Sequence, residues 1–309
     1  MKLTTKNYYA NIYIDKAKKL GISHEVLHPN GLIRLFLKNK ECLFHRAVPQ
    51  INSALTAELC RHKHLTSFLL KKNKLPTPTQ TSVTKFSYLD KREFSTPAVI
   101  KPASGIAGKD VFVNITKKTE VRDITKKLLE KHSRIVIESF EHGQDYRFLV
   151  FDRQVIGIVK RLPPTIIGDG KSTVKKLILN LPSSNRISID ESLKNTLSNN
   201  NTSLKEVLHK NAKVQVRSNS NYSTGGIAET IDNTEIHPKL LTLAIKASDS
   251  VYARLSGVDI LIKNPKKPTK NNATIIEVNH NPGSKMHYNP DIGKIQDVAT
   301  IILKRIFQL

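Results

Sequence analysis

Two short apolar runs near the C-terminus each carry a carboxylate where a strand core would want a hydrophobe, and this constrains the chain more than any other feature. Gly257-Val258-Asp259-Ile260-Leu261-Ile262 has Asp259 as its only charge, and Ile275-Ile276-Glu277-Val278-Asn279 runs out into His280-Asn281-Pro282-Gly283. Both read as strands, and the polar stretch 263–272 between them closes a hairpin. Alternation along the second strand sets Glu277 and Asn279 on one face, opposite Ile276 and Val278. A carboxylate inside an apolar strand is costly unless it is paired or holds a metal. Each of the three polar residues, taken singly, is an ordinary strand-end group. Taken together beside a phosphate ligand, Asp259, Glu277 and Asn279 suit magnesium, which prefers oxygen donors.

The rest of the composition excludes more than it selects. A chain of 309 residues with 39% hydrophobic and 25% charged residues is globular and long enough for about two domains. Residues 1–13 hold no apolar core of a signal peptide, and no run of 18 apolar residues occurs, so neither a leader nor a membrane span is expected and the cytoplasm is the default. Cys42 and Cys60 are too few for a disulfide framework and read as small buried hydrophobes. The net charge of +24 raises the question of a polyanionic partner. The basic residues are spread along the chain, mostly as Lys, with no aromatic-interleaved motif, so nucleic acid is not the expected partner. The field would still attract small anions such as nucleotides and carboxylates.

In chain order, residues 1–50 are weakly patterned, with 31–37 and 42–44 as short strands. A helix is expected over 59–72 on Leu65, Phe68 and Leu69, with Lys63 near its start. Ala98-Val99-Ile100-Lys101-Pro102 is a strand ending in a lysine, followed by the small-residue loop Ala103 to Gly108, whose N–H groups can approach phosphate oxygens closely. It lacks the ending of a Walker loop, and a plain hairpin turn reads nearly as well. A helix over 119–132 and a strand at 134–138 follow. Ser139 to Asp145 then connects to two strands, 146–151 and 154–159, joined by the turn Asp152-Arg153. Hairpins on both sides of this connector suggest two small sheets facing across a cleft, with Glu141 and Asp145 suited to ribose hydroxyls. The stretch 163–212 reads as an excursion with short helices at 174–180 and 203–209 around a Ser/Asn-rich segment. The strand 213–217 enters Ser223-Thr224-Gly225-Gly226, a cradle or a flexible linker. Helices at 238–255, with Leu241, Ala244, Ala247, Val251 and Leu255 inward, and at 292–307 complete the chain.

The order of these features resembles the ATP-grasp superfamily, and in particular the ATP-grasp module of cyanophycin synthetase and bifunctional glutathione synthetases. Gly168-Asp169-Gly170-Lys171-Ser172-Thr173, Ser223-Thr224-Gly225-Gly226, Gly257-Val258-Asp259-Ile260 and Pro282-Gly283-Ser284-Lys285-Met286-His287 carry the resemblance, which covers roughly residues 50–309. It implies an α+β ATP-grasp fold in which two α+β subdomains clasp ATP between antiparallel sheets. Residues 1–50 would be a short, truncated pre-ATP-grasp region, 51–309 the ATP-grasp domain and about 80–140 its lid. It further implies that Lys63, Lys101, Ser104, Gly105 and Gly108 meet ATP phosphates, that Glu138, Ser139, Phe140 and Glu141 receive adenine, and that Asp145 binds ribose. Asp259, Glu277 and Asn279 would carry magnesium, two ions being expected with manganese able to substitute. Arg217 and Arg254 are the catalytic arginines considered, Arg217 preferred because it adjoins the Gly-Gly loop. Arg161, Ser223, Gly225, Gly226, Asn281, Gly283 and Lys285 are the expected substrate contacts. The implied reaction joins a carboxylate and an amine, from amino acids or a short peptide, through an acyl phosphate. A non-catalytic ATP-binding protein and a ligase or binder acting on an anionic macromolecule are the alternatives, and a homodimer stays open. Lys285 stands where Arg is expected in this subgroup, and no second catalytic module accompanies the domain, which leaves the substrate undetermined.

Overall fold

A computed structural model describes residues 3–105 and 110–309. The chain opens on a helix that the sequence pattern did not reveal, α1 (Tyr8–Lys19), whose N-cap Asn7 accepts the Ala10 N–H and whose Ala10, Tyr13, Ile14 and Ala17 turn inward at helical spacing. An antiparallel sheet β1-β2-β3-β4 follows, formed by β1 (Ser23–His28), β2 (Leu32–Leu37), β3 (Lys40–His45) and β4 (Val48–Pro49). This N-terminal unit is no loose appendage. Tyr13, Ile33, Leu35 and Phe44 share one core with Leu149, Phe151, Leu255 and the C-terminal residues Ile302, Leu303 and Phe307.

The single helix expected over 59–72 is two, α2 (Ala54–Arg61) and α3 (Lys63–Lys72), because His62 adopts an extended backbone, φ −98° and ψ 92°. The inward residues are Thr66, Ser67 and Leu70, while Phe68 is 63% exposed. The break makes Lys63 the first residue of α3 and turns it toward the following unit: its N–H donates to Ala103 O at 3.0 Å.

Residues 80–139 build a second antiparallel sheet, order β5-β8-β6-β7, from β5 (Gln80–Val83), β6 (Ala98–Pro102), β7 (Phe112–Ile115) and β8 (Ile135–Ser139). Helix α4 (Lys118–Leu129) covers it with Val121 and Leu128. The third sheet carries the acidic hairpin. Its order is β13-β10-β9-β14-β15, formed by β9 (Gln144–Phe151), β10 (Gln154–Leu162), β13 (Ile227–Ile231), β14 (Leu255–Ile262) and β15 (Ala273–Asn279). Strands β9 and β10 turn at Asp152-Arg153, both at positive φ (42° and 60°), as a tight hairpin requires. Helix α7 (Pro238–Ser250) packs on this sheet through Leu240, Leu243 and the expected Ala244 and Ala247, with Leu241 at the edge of the same core, and ends before the buried Val251, leaving Leu255 to begin β14. Burying each such large side chain contributes about 1.5–3 kcal/mol.

The excursion between β10 and β13 has its own core. A small pair of strands, β11 (Thr165–Ile167) and β12 (Lys213–Gln215), packs with α5 (Val174–Leu179) and α6 (Glu191–Asn199) around Ile166, Val174, Ile178, Leu193 and Leu197. The helix lies at 191–199, inside the polar segment; residues 203–209 form turns and an isolated bridge between Val207 and Thr173, their carbonyls at Leu204 and Glu206 accepting the N–H groups of Lys175 and Val174. The chain closes with α8 (Lys285–Tyr288) and α9 (Val298–Phe307), the latter shorter than the expected 292–307. Among the described residues no helix is long and apolar enough to cross a membrane.

Candidate active site

Strands β14 and β15 pair antiparallel, with Asp259 directly opposite Glu277 and Gly257 opposite Asn279. Opposed residues share a sheet face, so the three oxygen-bearing side chains project together. A register shift follows Asp259, where Ile260 pairs with Ile275, and Ile276 becomes the extra residue. This corrects the strict alternation expected from the sequence. Ile276 does not point away from Glu277: both line the same cleft.

The Asp259 carboxylate is buried and already satisfied. Arg147, opposite it on β9, donates from Nε and Nη2, the latter at 2.6 Å, and Arg161 Nη2 on β10 stands 3.0 Å away. Arg161 also donates to Asp145 Oδ1 at 2.7 Å, while the other Asp145 oxygen accepts from Ser220 Oγ at 2.7 Å. Burial alone would raise the Asp259 pKa, yet Arg147 and Arg161 hold it below the usual carboxylate value. Burial pulls Arg161 down, and Asp145 and Asp259 more than reverse this. Gly257 makes room for the pair, since a Cβ there would come 2.8 Å from Arg147 Cδ.

Beside this cluster lies a narrow cleft between α3, β8 and β15, lined by Cys60, Lys63, Thr66, Glu138, Ile276 and Glu277 among others. Lys63 Nζ is 2.9 Å from Glu277 Oε1 and donates to Gly105 O at 3.3 Å, which ties α3 to the small-residue loop. Lys101 Nζ is 2.6 Å from Glu138 Oε2, both side chains at most 7% exposed, and Gln80 donates to the other Glu138 oxygen at 2.9 Å. Ser104 and Gly105 are exposed at the exit of β6; Gly108 lies outside the described residues. In the connector, Ser139 Oγ donates to Glu141 Oε1 at 2.8 Å, and the Phe140 N–H donates to Pro97 O.

Of the expected substrate residues, Arg161 is held in the Asp259 cluster, and the others lie in the Gly-Gly loop and in the segment after β15. Gly225 sits at φ +101° with no room for a side chain, because a Cβ would fall 2.2 Å from Ile187 Cγ1. Gly226 presses against Ser220 O, while Ser223 is exposed. Asn281, Gly283 and Lys285 follow β15 directly. Arg217 is buried and committed to the excursion, its Nη1 donating to Asp190 Oδ1 at 2.8 Å and its Nη2 to Ser188 O at 2.6 Å. Arg254 does not join the cluster. It lies at the far end of β14, 52% exposed, bidentate with Asp152 of the β9–β10 turn. His287 is fully buried, with Nδ1 at 2.8 Å from Gln296 Oε1.

Among the described residues no three of His, Cys, Asp and Glu gather as a ready metal cluster. The donor set of two carboxylates and one amide on a shared face nevertheless fits magnesium chemically, provided the basic side chains now facing the carboxylates give way. Arg147 was missed from the sequence. Its signal was there, since it is the one charge within Tyr146–Phe151, as Asp259 is within its own strand.

Residues 204–306 match the RimK-like ATP-grasp domain. Across the chain, cyanophycin synthetase of Crocosphaera subtropica is 26% identical over 313 residues, which is 95% of this chain and 36% of the relative. The glutathione biosynthesis bifunctional protein of Clostridium perfringens is 30% identical over 276 residues, 83% of this chain and 35% of the relative. The chain thus spans about a third of the length of these curated relatives. Among solved structures, the bifunctional glutathione synthetase from Pasteurella multocida superposes at a TM-score of 0.70 with 22% identity, covering 97% of this chain and 43% of that one. The D-alanine–D-alanine ligase from Bacillus anthracis gives 0.51 at 18% identity over 82% and 68%. With antiparallel sheets flanking a cleft of lysines and carboxylates, the chain has the ATP-grasp fold, and its residues 204–306 match the RimK-like ATP-grasp domain.

Proposed function

We propose that this chain is an ATP-dependent carboxylate–amine ligase that forms a peptide-like amide through an acyl phosphate, working on amino acids or short peptides in the cytoplasm. One observation carries the reading: Lys63, Glu138 and Glu277 line a single cleft between two sheets, with Lys101 paired to Glu138 at its wall and Asp259 opposed to Glu277. Attack of a carboxylate on a phosphoryl group brings anions together, so such a site must supply positive charge and position the partners. Lys63 and Lys101 hold the phosphates, with Ser104 and Gly105 offering backbone close by. Glu138 to Glu141 border the base and Asp145 the ribose. Asp259, Glu277 and Asn279 would hold magnesium, which when bound supplies Lewis-acid neutralisation of the phosphates. Of the two arginines considered, Arg217 is favoured only for its place in the chain just before the Gly-Gly loop, since it is held by Asp190 as Arg254 is held by Asp152.

The test is incubation with ATP, magnesium and a pooled amino-acid mixture, following ADP release and product masses. Glu277→Ala is expected to abolish turnover while keeping the wild-type melting profile. Wild-type turnover in that variant would remove Glu277 from the site. Bound ATP with no ADP release from any acid–amine pair would make the chain a nucleotide-binding protein instead.

A further inference from the structure

Around the third sheet nearly every buried or half-buried cation has an acid. Lys63 faces Glu277, Arg147 and Arg161 face Asp259, Lys160 faces Glu229, Arg186 faces Asp291 and Lys16 faces Asp297. Lys285 departs from this pattern. It is half-buried in the first turn after the Asn281-Pro282-Gly283 segment, and among the described residues no carboxylate pairs with it. Its recorded neighbour is an aromatic face, the Tyr8 ring, with Nζ 5.8 Å from the centroid. Tyr9 packs edge-on against Tyr8 at 5.5 Å between centroids and carries its hydroxyl past Gly283, 3.8 Å from where a Cβ would stand. Gly283 therefore leaves that hydroxyl open to the loop.

We propose that Tyr8 and Tyr9 of the N-terminal helix, together with Lys285, form a subsite for a carboxylate that does not react, carried by the amino-acid or peptide substrate. The inference rests on the ligase reading for the identity of the substrate, and it makes the N-terminal unit part of the substrate site. A half-buried ammonium resting on a ring face keeps its donors free, and a carboxylate meeting it gains a charge-assisted hydrogen bond. Phenol hydroxyls add neutral donors. Burial raises the pKa of both Tyr8 and Tyr9, with Tyr222 adding to the shift, so both stay protonated donors near neutrality. Tyr222 donates its own hydroxyl to Asn289 O at 2.8 Å just beyond α8. Nucleotide phosphates are served elsewhere, by Lys63 and Lys101 in the cleft between the sheets.

The experiment is saturation-transfer NMR on the full chain with ADP and magnesium, titrating the twenty amino acids and their α-carboxamides. At least one amino acid is expected to bind about tenfold more tightly than its α-carboxamide or, for aspartate and glutamate, than asparagine or glutamine, the scale of one charge-assisted hydrogen bond. If aspartate or glutamate amides alone keep the tight binding, the carboxylate held is a side-chain one; if every amide loses it, it is the α-carboxylate. Both support the subsite. In Lys285→Met and in the milder Tyr9→Phe the preference is expected to shrink toward unity while ADP affinity stays within about twofold. Wild-type binding that separates neither an amino acid from its α-carboxamide nor aspartate and glutamate from asparagine and glutamine, a preference unchanged in Lys285→Met, or parallel losses of ADP and amino-acid binding would each overturn the proposal. ADP release with acid–amine pairs is measured separately, so a missing ligase activity is told apart from a missing subsite.

Discussion

Replacing Arg147 with Leu tests whether the buried acid–base cluster is one cooperative unit. Asp145, Asp259, Arg147 and Arg161 together carry no net charge. Arg147 and Asp259 are 12% and 7% exposed at their side chains, and Arg161 bridges the two acids at 2.7 and 3.0 Å. Removing one member of a buried pair strands the other, at a cost of about 3–5 kcal/mol. Arg161 keeps its contact with Asp259 in Arg147→Leu, which places that variant near 3 kcal/mol, roughly the low end of the range. Asp259→Leu strands Arg147 while Arg161 retains Asp145, so about the same loss is expected. The double variant leaves the neutral pair Arg161–Asp145 intact and should lose much less than the sum, with a coupling of roughly 2–3 kcal/mol. Urea unfolding of the four proteins measures it. Costs that add within about 0.5 kcal/mol would refute the cooperative cluster. The same variant probes the metal assignment. With a guanidinium removed from Asp259, magnesium with ADP should raise the melting temperature more than in the wild type; equal shifts would leave Asp259 a purely structural carboxylate.

Two further outcomes follow from burial and pairing. Burial lowers the His287 pKa to about 4, against an ordinary value of 6.5. Between those values the unfolded chain binds the proton and the folded chain does not. Stability is therefore lost as pH falls from about 6.5 toward 4, and His287→Gln should flatten the pH dependence of the melting temperature in that window. Chelation of divalent ions should abolish ADP release while moving the melting temperature by less than about 1 °C, because Asp259 and Glu277 already face Arg147 and Lys63. Unfolding on chelation would make the metal structural.

The acidic hairpin was legible because its signal is local. A lone carboxylate in an apolar run, a polar turn and a second run specify β14 and β15 without knowledge of the rest of the chain. Features set by distant contacts were not legible. Asp259 and Arg147 are 112 residues apart, and no period in either strand names the partner. The bulge at Ile276 is decided by which cross-strand pairs fill the core, so alternation misassigned that one side chain. Helix α1 was hidden for another reason. Two of its four inward residues are Ala10 and Ala17, which give little contrast against the lysines around them. The extended backbone at His62 likewise has no breaker residue to mark it, although it is what turns Lys63 toward Ala103 and Gly105.

The pairing pattern has a consequence for how the proposed ligands would enter. Two residues assigned to opposite partners hold one another: Lys63, proposed for phosphate, holds Glu277, proposed for metal. A metal arriving alone would take Glu277 and strand a lysine that is 14% exposed. A nucleotide arriving alone would take Lys63 and strand the carboxylate. Either stranding carries a desolvation cost of a kcal/mol or more, roughly tenfold in affinity per group. When metal and phosphate arrive together, the Lys63–Glu277 pair is exchanged for two new ones and neither charge is left bare. On the proposed assignment, then, this ion pair of the ligand-free site selects for the metal–nucleotide complex over either component. That selection comes from how the side chains are already paired, and requires no moving lid.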